Sequence, residues 1–299
     1  MAAPHTPPSA ILLVIVATAC FTSLDVTVKY LSQRYPVPLL VWARYGVQAL
    51  VMLAFLAPRL QWTLVRTAHP RLMIVRGIAL LMSSLCFFTA LRYLPLAEAT
   101  ALNYSTPIVV TLAAGTFLHE HITIPRWIFV FAGFAGMLLI VRPGSDVLGA
   151  PSLFALGAAM FYASFQILTR KLAGEDAMSL LFYPALCGGV LMTACLPLFD
   201  YHAHFPPLDM LLILAIGVVG TVGHFLFILA FQRASASSVT PFTYMQVVWS
   251  TIAGWLVFDA FPDHWALAGM VVIASSGFVL SWYERWRASV DAGEPAAVD

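Results

Sequence analysis

Ten runs of about twenty apolar residues, parted by short polar or proline-containing breaks, leave this chain few ways to fold. A helix rises about 1.5 Å per residue, so each run matches the ~30 Å hydrocarbon core of a bilayer. The runs cover 10–31, 38–58, 72–93, 97–117, 124–141, 150–171, 178–199, 208–230, 237–257 and 263–284. In lipid every backbone N–H and C=O must be bonded within the protein, and for runs of this length that means α-helix. Breaks as short as Tyr35-Pro36-Val37-Pro38, Leu94-Pro95 and Phe261-Pro262-Asp263 make neighbouring helices antiparallel. The expected fold is therefore an all-α integral membrane protein with ten transmembrane helices.

Composition agrees, because a chain that is 61% hydrophobic, 10% charged and +0.88 in mean hydropathy cannot give a soluble domain its polar surface. A net charge of +1 without a clustered basic face excludes a nucleic-acid partner. Cys20, Cys86, Cys187 and Cys195 stand singly in apolar runs, which offers neither a disulfide framework nor a zinc site. His119-x-His121 and His202-x-His204 have a spacing of two, which turns the rings to opposite helix faces, and no third ligand is near; they read as solvated loop residues, not as a metal site. Trp62, Trp127, Trp265, Trp282 and Trp286 fall near run ends, as interfacial anchors do. The segment 1–9 lacks the basic start of a signal peptide and is expected to be a cytoplasmic extension of a retained first helix.

Positively charged loops stay cytoplasmic, so Lys and Arg set the orientation. With the N-terminus inside, Arg59, Arg66, Arg71, Arg76, Arg126, Arg170, Lys171, Arg233, Arg285 and Arg287 fall on the cytoplasmic side, which is ten of the fifteen basic residues. The remainder, Lys29, Arg34, Arg44, Arg92 and Arg142, lie outside or within the membrane. Both termini are thus expected in the cytoplasm, in a multi-pass protein of a bacterial-type inner membrane.

The chain also repeats itself. An offset of 141 sets Phe21, Ser23, Asp25 and Lys29 against Tyr162, Ser164, Gln166 and Arg170, and an offset of 140 sets Gly77, Phe87, Ala90, Thr100 and Tyr104 against Gly217, Phe227, Ala230, Thr240 and Tyr244. The expected units are 10–144 and 145–286, followed by a disordered cytoplasmic tail at 287–299. Five helices per unit is an odd number, so the second unit enters the membrane inverted, a plan that recurs in secondary transporters with their substrate site where the repeats meet.

The run Ala90 to Ala101 (ALRYLPLAEATA), with Tyr104-Ser105-Thr106-Pro107, Leu118-His119-Glu120, Gly133 to Gly136 and Arg142-Pro143-Gly144, resembles the EamA branch of the drug/metabolite transporter superfamily. The second half repeats it more loosely through Ala230 to Thr240, Tyr244-Met245-Gln246 and Gly254 to Asp259. The sequence departs from the family's pattern at His119, where glycine is usual, and at Asp259 or Ala260, where the glutamate is missing. The resemblance covers nearly the whole chain. It implies two inverted five-helix repeats around a central cavity and carriage of small metabolites, often outward.

Charges inside the membrane need a partner, a route to the headgroups, or a task. Asp25 and Arg44 each lie about six residues from the outer ends of helices 1 and 2, hence ~9 Å deep and level with each other. Asp25 and Lys29 share a helix face by their i, i+4 spacing. Two readings stand side by side. In one, Asp25 pairs with Arg44 or Lys29 as a buried ion pair; in the other, Arg44 offers its fork to a substrate carboxylate while Asp25 takes a cation or a proton. Lys29 and Arg34 are expected to snorkel to the outer headgroups. Glu98 falls in the first turn of helix 4, where the dipole favours a carboxylate, and is a capping group and a candidate for proton coupling. Asn103 and Tyr104 precede Pro107, which frees a backbone carbonyl, and with Tyr244, Gln246 and Gln166 they are candidate substrate-binding groups. Tyr104 is expected to line the outer half of a cavity and Tyr244 the inner half. His224 reads either as a proton-coupling residue or as a packed, hydrogen-bonded one.

The expected function is secondary active transport, in the export direction, of a small polar or zwitterionic metabolite of amino-acid or opine-metallophore type. Uptake of a compound such as S-adenosylmethionine or a vitamin is the alternative. An intramembrane enzyme is disfavoured by the lack of H-E-x-x-H, G-x-S-x-G or paired aspartates, and no G-x-x-x-x-G-K-[ST] is present to bind a nucleotide. No cofactor is called for. Protons are the candidate coupling ion, and a homodimer stands beside a monomer as an assembly the sequence allows.

Overall fold

The computed structural model describes residues 8–60, 67–106, 109–110, 124–141, 149–172, 174–199, 205–233 and 242–291. Among them are ten helices of eight residues or more: α1 (Pro8–Leu31), α2 (Val37–Leu60), α3 (Pro70–Tyr93), α4 (Leu96–Asn103), α5 (Ile124–Val141), α6 (Ala150–Lys171), α7 (Ala177–Cys195), α8 (Pro207–Arg233), α9 (Met245–Phe258) and α10 (His264–Asp291). Within the described residues, α1, α2, α3, α6, α7 and α8 are long and apolar enough to cross a membrane; α9 and the apolar parts of α5 and α10 are shorter.

Two expectations need correction. Regular helix 4 ends at Asn103, ahead of Pro107, because proline has no N–H to return to the Asn103 carbonyl. The hydroxyl of Thr106 donates to that freed carbonyl instead, at 2.7 Å. The expected tail at 287–299 begins too early, since α10 continues to Asp291. Residues 292–299, Trp62 and both histidine pairs lie outside the described residues.

Packing follows the internal repeat. The most extensive contacts are α1 with α8, α3 with α6 and α5 with α10, followed by α2 with α7 and α8, α3 with α7, α1 with α9, and α4 with α9 and α6. Exchanging every helix for the one five places away maps this set of contacts onto itself. The close approaches obey the same exchange. A Cβ on Gly77 would lie 3.1 Å from Cys187 Cβ and 3.4 Å from Pro184 Cα; one on Gly217 would run into the Val47 side chain and lie 3.1 Å from the Ala43 carbonyl. Glycine at each position lets two backbones meet, as small residues do between membrane helices. Gly217→Val is therefore expected to cost about 3 kcal/mol by overpacking α2 against α8. Gly46→Ala, whose new methyl group would meet only the Trp42 ring at 3.8 Å, is the control, and the thermal unfolding midpoint in detergent is the readout.

The lesser contacts break the symmetry. α1 packs on α3 and α4, and α2 on α3, with no comparable packing of α6 on α8 and α9, or of α7 on α8, among the described residues.

Candidate functional site

Asp25, buried in α1, faces α9, where its Oδ2 accepts from Gln246 Nε2 at 3.1 Å. It has no salt bridge to either expected partner. One turn on, Lys29 is drawn away to α3: its Nζ donates to the carbonyls of Leu91 at 2.9 Å and Leu94 at 2.6 Å, 5.5 Å from the Phe258 ring centroid. The residue that would return an N–H to Leu91 is Pro95, so Lys29 fills the place of the missing backbone donor. The expected snorkelling of Lys29 is thus corrected: its ammonium is held by these two carbonyls at the end of α3. Glu98, buried in the first turn of α4, is the acid within electrostatic reach of Lys29.

Arg34 is half exposed and meets Asp209 in the first turn of α8 at 3.3 Å, while Tyr35 donates to the same carboxylate at 2.8 Å. These bonds tie the α1–α2 turn to α8, so Arg34 is held by the protein as well as facing outward. At the opposite end, Glu175 accepts from Ala68 N–H and meets His69 Nδ1, both at 3.1 Å. A hydrogen bond from Thr67, backed by these two, holds its carboxyl below the usual glutamate range.

Arg44 on α2 donates from Nη1 to Ser84 Oγ at 3.0 Å and lies 5.4 and 5.6 Å from the ring centroids of Tyr45 and Phe88. Its Nε is buried without a partner. Ser84 is fixed in turn by Tyr45 at 2.7 Å and by the Leu80 carbonyl at 2.9 Å. Asp25 feels the Arg44 charge, yet the two form no ion pair. Ser84 and Gln246 hold the opposite charges apart.

Tyr104 and Tyr244 do not occupy separate halves; their rings meet at 5.2 Å. The Tyr104 hydroxyl donates to the Thr243 carbonyl at 2.6 Å, with Gln246 Oε1 as a second acceptor at 3.2 Å. Gln246 thereby links Tyr104 to Asp25. Thr100 and Ser250, 3.1 Å apart, join α4 to α9 beside them. Asn103 Oδ1, Trp249 Nε1 and Thr22 Oγ1 are buried without partners, so with Arg44 Nε the unfilled polar atoms fall on α1, α2, α4 and α9. Gln166 lies one turn after Tyr162 on α6, and the Tyr162 ring stacks on Phe165 at 5.6 Å. His224 Nδ1 lies 2.9 Å from the Gly220 carbonyl and its ring meets Phe21 edge-on at 4.8 Å. A carbonyl only accepts, so Nδ1 carries the proton and Nε2 remains the basic atom.

One residue escaped the sequence reading. Arg76, counted there as a cytoplasmic end charge, is only 5% exposed. Its Nε donates to Thr169 Oγ1 at 2.7 Å, its Nη1 to the Leu180 carbonyl at 2.6 Å, and its guanidinium lies 4.3 Å from the Phe165 ring centroid. Its position more than a turn inside a 24-residue apolar helix was the available signal.

The family model for the EamA-like transporter family matches residues 8–142 and 150–282. The chain belongs to this family. It is a multi-pass membrane protein of the transporter type. Among similar proteins, the S-adenosylmethionine uptake transporter of Rickettsia conorii is 28% identical over 263 residues, covering 87% of this chain and 88% of that protein. The riboflavin transporter of Vibrio cholerae is 26% identical, with 94% and 96% covered. The pseudopaline exporter of Pseudomonas aeruginosa is 27% identical, with 91% and 96% covered. A solved crystal structure shares the fold with a TM-score of 0.68 at 21% identity, over 93% of this chain and 99% of that one.

Proposed function

We propose that this EamA-family protein is a secondary active transporter that exports a small polar or zwitterionic metabolite by alternating access. The observation that carries this reading is the split pair of Asp25 and Arg44, opposite charges each held by a neutral side chain and not by the other. A zwitterion presents the complementary pair of charges, and both residues keep hydrogen-bonding capacity for it. Gln246, Tyr104, Tyr244, Asn103 and Gln166 form the surrounding polar wall. Asp25, His224 through its basic Nε2, and Glu98 are the groups to which we assign proton coupling.

Ten crossings in two inverted repeats, an inner-membrane location and cytoplasmic termini belong to the same proposal. The exchange of helices five places apart supports it. So does the asymmetry left over, since the α1, α3 and α4 ends that close on one another would be the outer ends of the first repeat. Uptake is the second reading, favoured by the S-adenosylmethionine uptake and riboflavin relatives.

The test compares metabolites in cells and medium with and without the protein, then carries the hit into proteoliposomes under an imposed pH gradient. Export predicts a compound that accumulates in the medium only when the protein is present, and flux that follows the gradient. A compound lost from the medium reverses the direction, and no gradient-driven flux of any hit ends the transport reading. A reporter fused after Trp286 that appears outside the cell overturns the ten-crossing topology.

A further inference from the structure

The membrane-embedded part of the chain carries more positive than negative charge. In its described apolar helices the acids are Asp25 and Glu98 and the bases are Lys29, Arg44 and Arg76; the other described acidic residues lie between helices, at helix ends or in the last turns of α10. Lys29 and Glu98 lie within electrostatic reach of each other without a salt bridge, and they cancel only in the count. By count one acid, Asp25, then stands for two guanidinium groups, and neither of these makes a salt bridge among the described residues. The excess remains whether or not Asp25 is ionised, because a proton on Asp25 only enlarges it.

Among the described residues both arginines donate only to neutral groups. Arg44 makes one hydrogen bond, to a hydroxyl, and its buried Nε makes none. Arg76 bonds a hydroxyl and a carbonyl through two of its three nitrogens. Eight residues of α3 separate Arg76 from Ser84, the seat of Arg44, which is ~12 Å along the axis. Both cations act electrostatically on Tyr162 and His224. Both lack a counterpart in the second half, where Ala185 and Ile216, each fully buried, take the equivalent places. These two cations thus belong to the first repeat alone.

We propose that the cargo enters this site with a net negative charge, its carboxylate received by Arg44, and that Arg76 is a second anion-receiving residue which sets this charge preference. The inference rests on the transport reading and narrows it: a compound bearing carboxylate in excess of ammonium fits, and a net cation is disfavoured. Carboxylate satisfies the guanidinium fork through paired N–H donors, which a neutral or cationic group does not.

The test uses the full-length protein in detergent at fixed ionic strength, with its melting midpoint followed against N-acetylmethionine, methionine and methioninamide, which share one side chain and carry charges from negative through neutral to positive. Stabilisation by N-acetylmethionine is expected at a concentration about tenfold or more below that needed for methioninamide. Arg76→Gln is expected to remove most of that difference and Arg76→Lys to keep it. Should Arg76→Gln not fold, the order in the wild-type protein remains the test. Methioninamide strongest, or no separation among the three, overturns the charge assignment, as does sodium chloride alone reproducing the full shift, which would mark an inorganic-anion site. Proteoliposomes that move none of the compounds, beside an intact binding order, count against the transport reading instead.

Discussion

Arg44→Ala is expected to reduce transport in proteoliposomes by about 100-fold or more while leaving the protein folded. Removing one member of a desolvated charge recognition site costs about 2–5 kcal/mol, and each factor of ten corresponds to about 1.4 kcal/mol. The fold survives because Ser84, which loses the Arg44 bond, keeps Tyr45 and the Leu80 carbonyl. Contact with the Tyr45 and Phe88 rings contributes about 0.5–1 kcal/mol each, so a modest fall in melting midpoint accompanies the change. Arg44→Lys separates charge from geometry, since the ammonium restores the positive charge without the planar fork. Activity recovered in full by lysine points to a simple charge requirement, and partial recovery to a forked contact. A folded Arg44→Ala protein that transports normally rules out carboxylate binding at this residue.

The helices were legible because ten apolar runs of bilayer length admit little else, and the repeat because Gly77 and Gly217, or Tyr104 and Tyr244, keep a nearly constant offset. The partners of the buried charges were not. Spacing set Asp25 level with Arg44, whose charge acts on it, but whether near charges pair depends on what else competes for them. For Lys29 the competitor was the pair of carbonyls at the end of α3, one of them stripped of its donor by Pro95, an effect visible in sequence only once α3 is known to end beside α1. For Asp25 it was Gln246, more than two hundred residues away. Arg76 was misplaced for the opposite reason. Its nearness to a run end suggested an interfacial charge, whereas Thr169, Leu180 and the Phe165 ring enclose it from two helices of the second half. The meeting of Tyr104 and Tyr244 follows from α4 packing directly on α9, which an inverted repeat allows but does not dictate.

Lys29→Met is expected to be the most destabilising substitution of a membrane-embedded polar residue here. Two carbonyls, those of Leu91 and Leu94, lose their donor at once, and Pro95 rules out a backbone replacement for the first. Glu98, buried to 8% exposure at the start of α4, loses the cation within its reach. A buried carbonyl left without its donor costs about 1–3 kcal/mol, and methionine, of similar length and apolar, leaves no cavity that would confuse the measurement. Lys29→Arg should retain most of the stability, because the guanidinium also donates to carbonyl oxygens. In the Lys29→Met background, Glu98→Gln should regain part of the loss, since it removes a buried charge that has lost the cation within its reach, whereas the same change in the wild-type protein should destabilise. That sign reversal, read from melting midpoints of the four proteins, isolates the electrostatic share from the carbonyl share. A Lys29→Met protein that melts with the wild type would mean that these carbonyls find water or other donors, and that Lys29 does not hold α1 against α3.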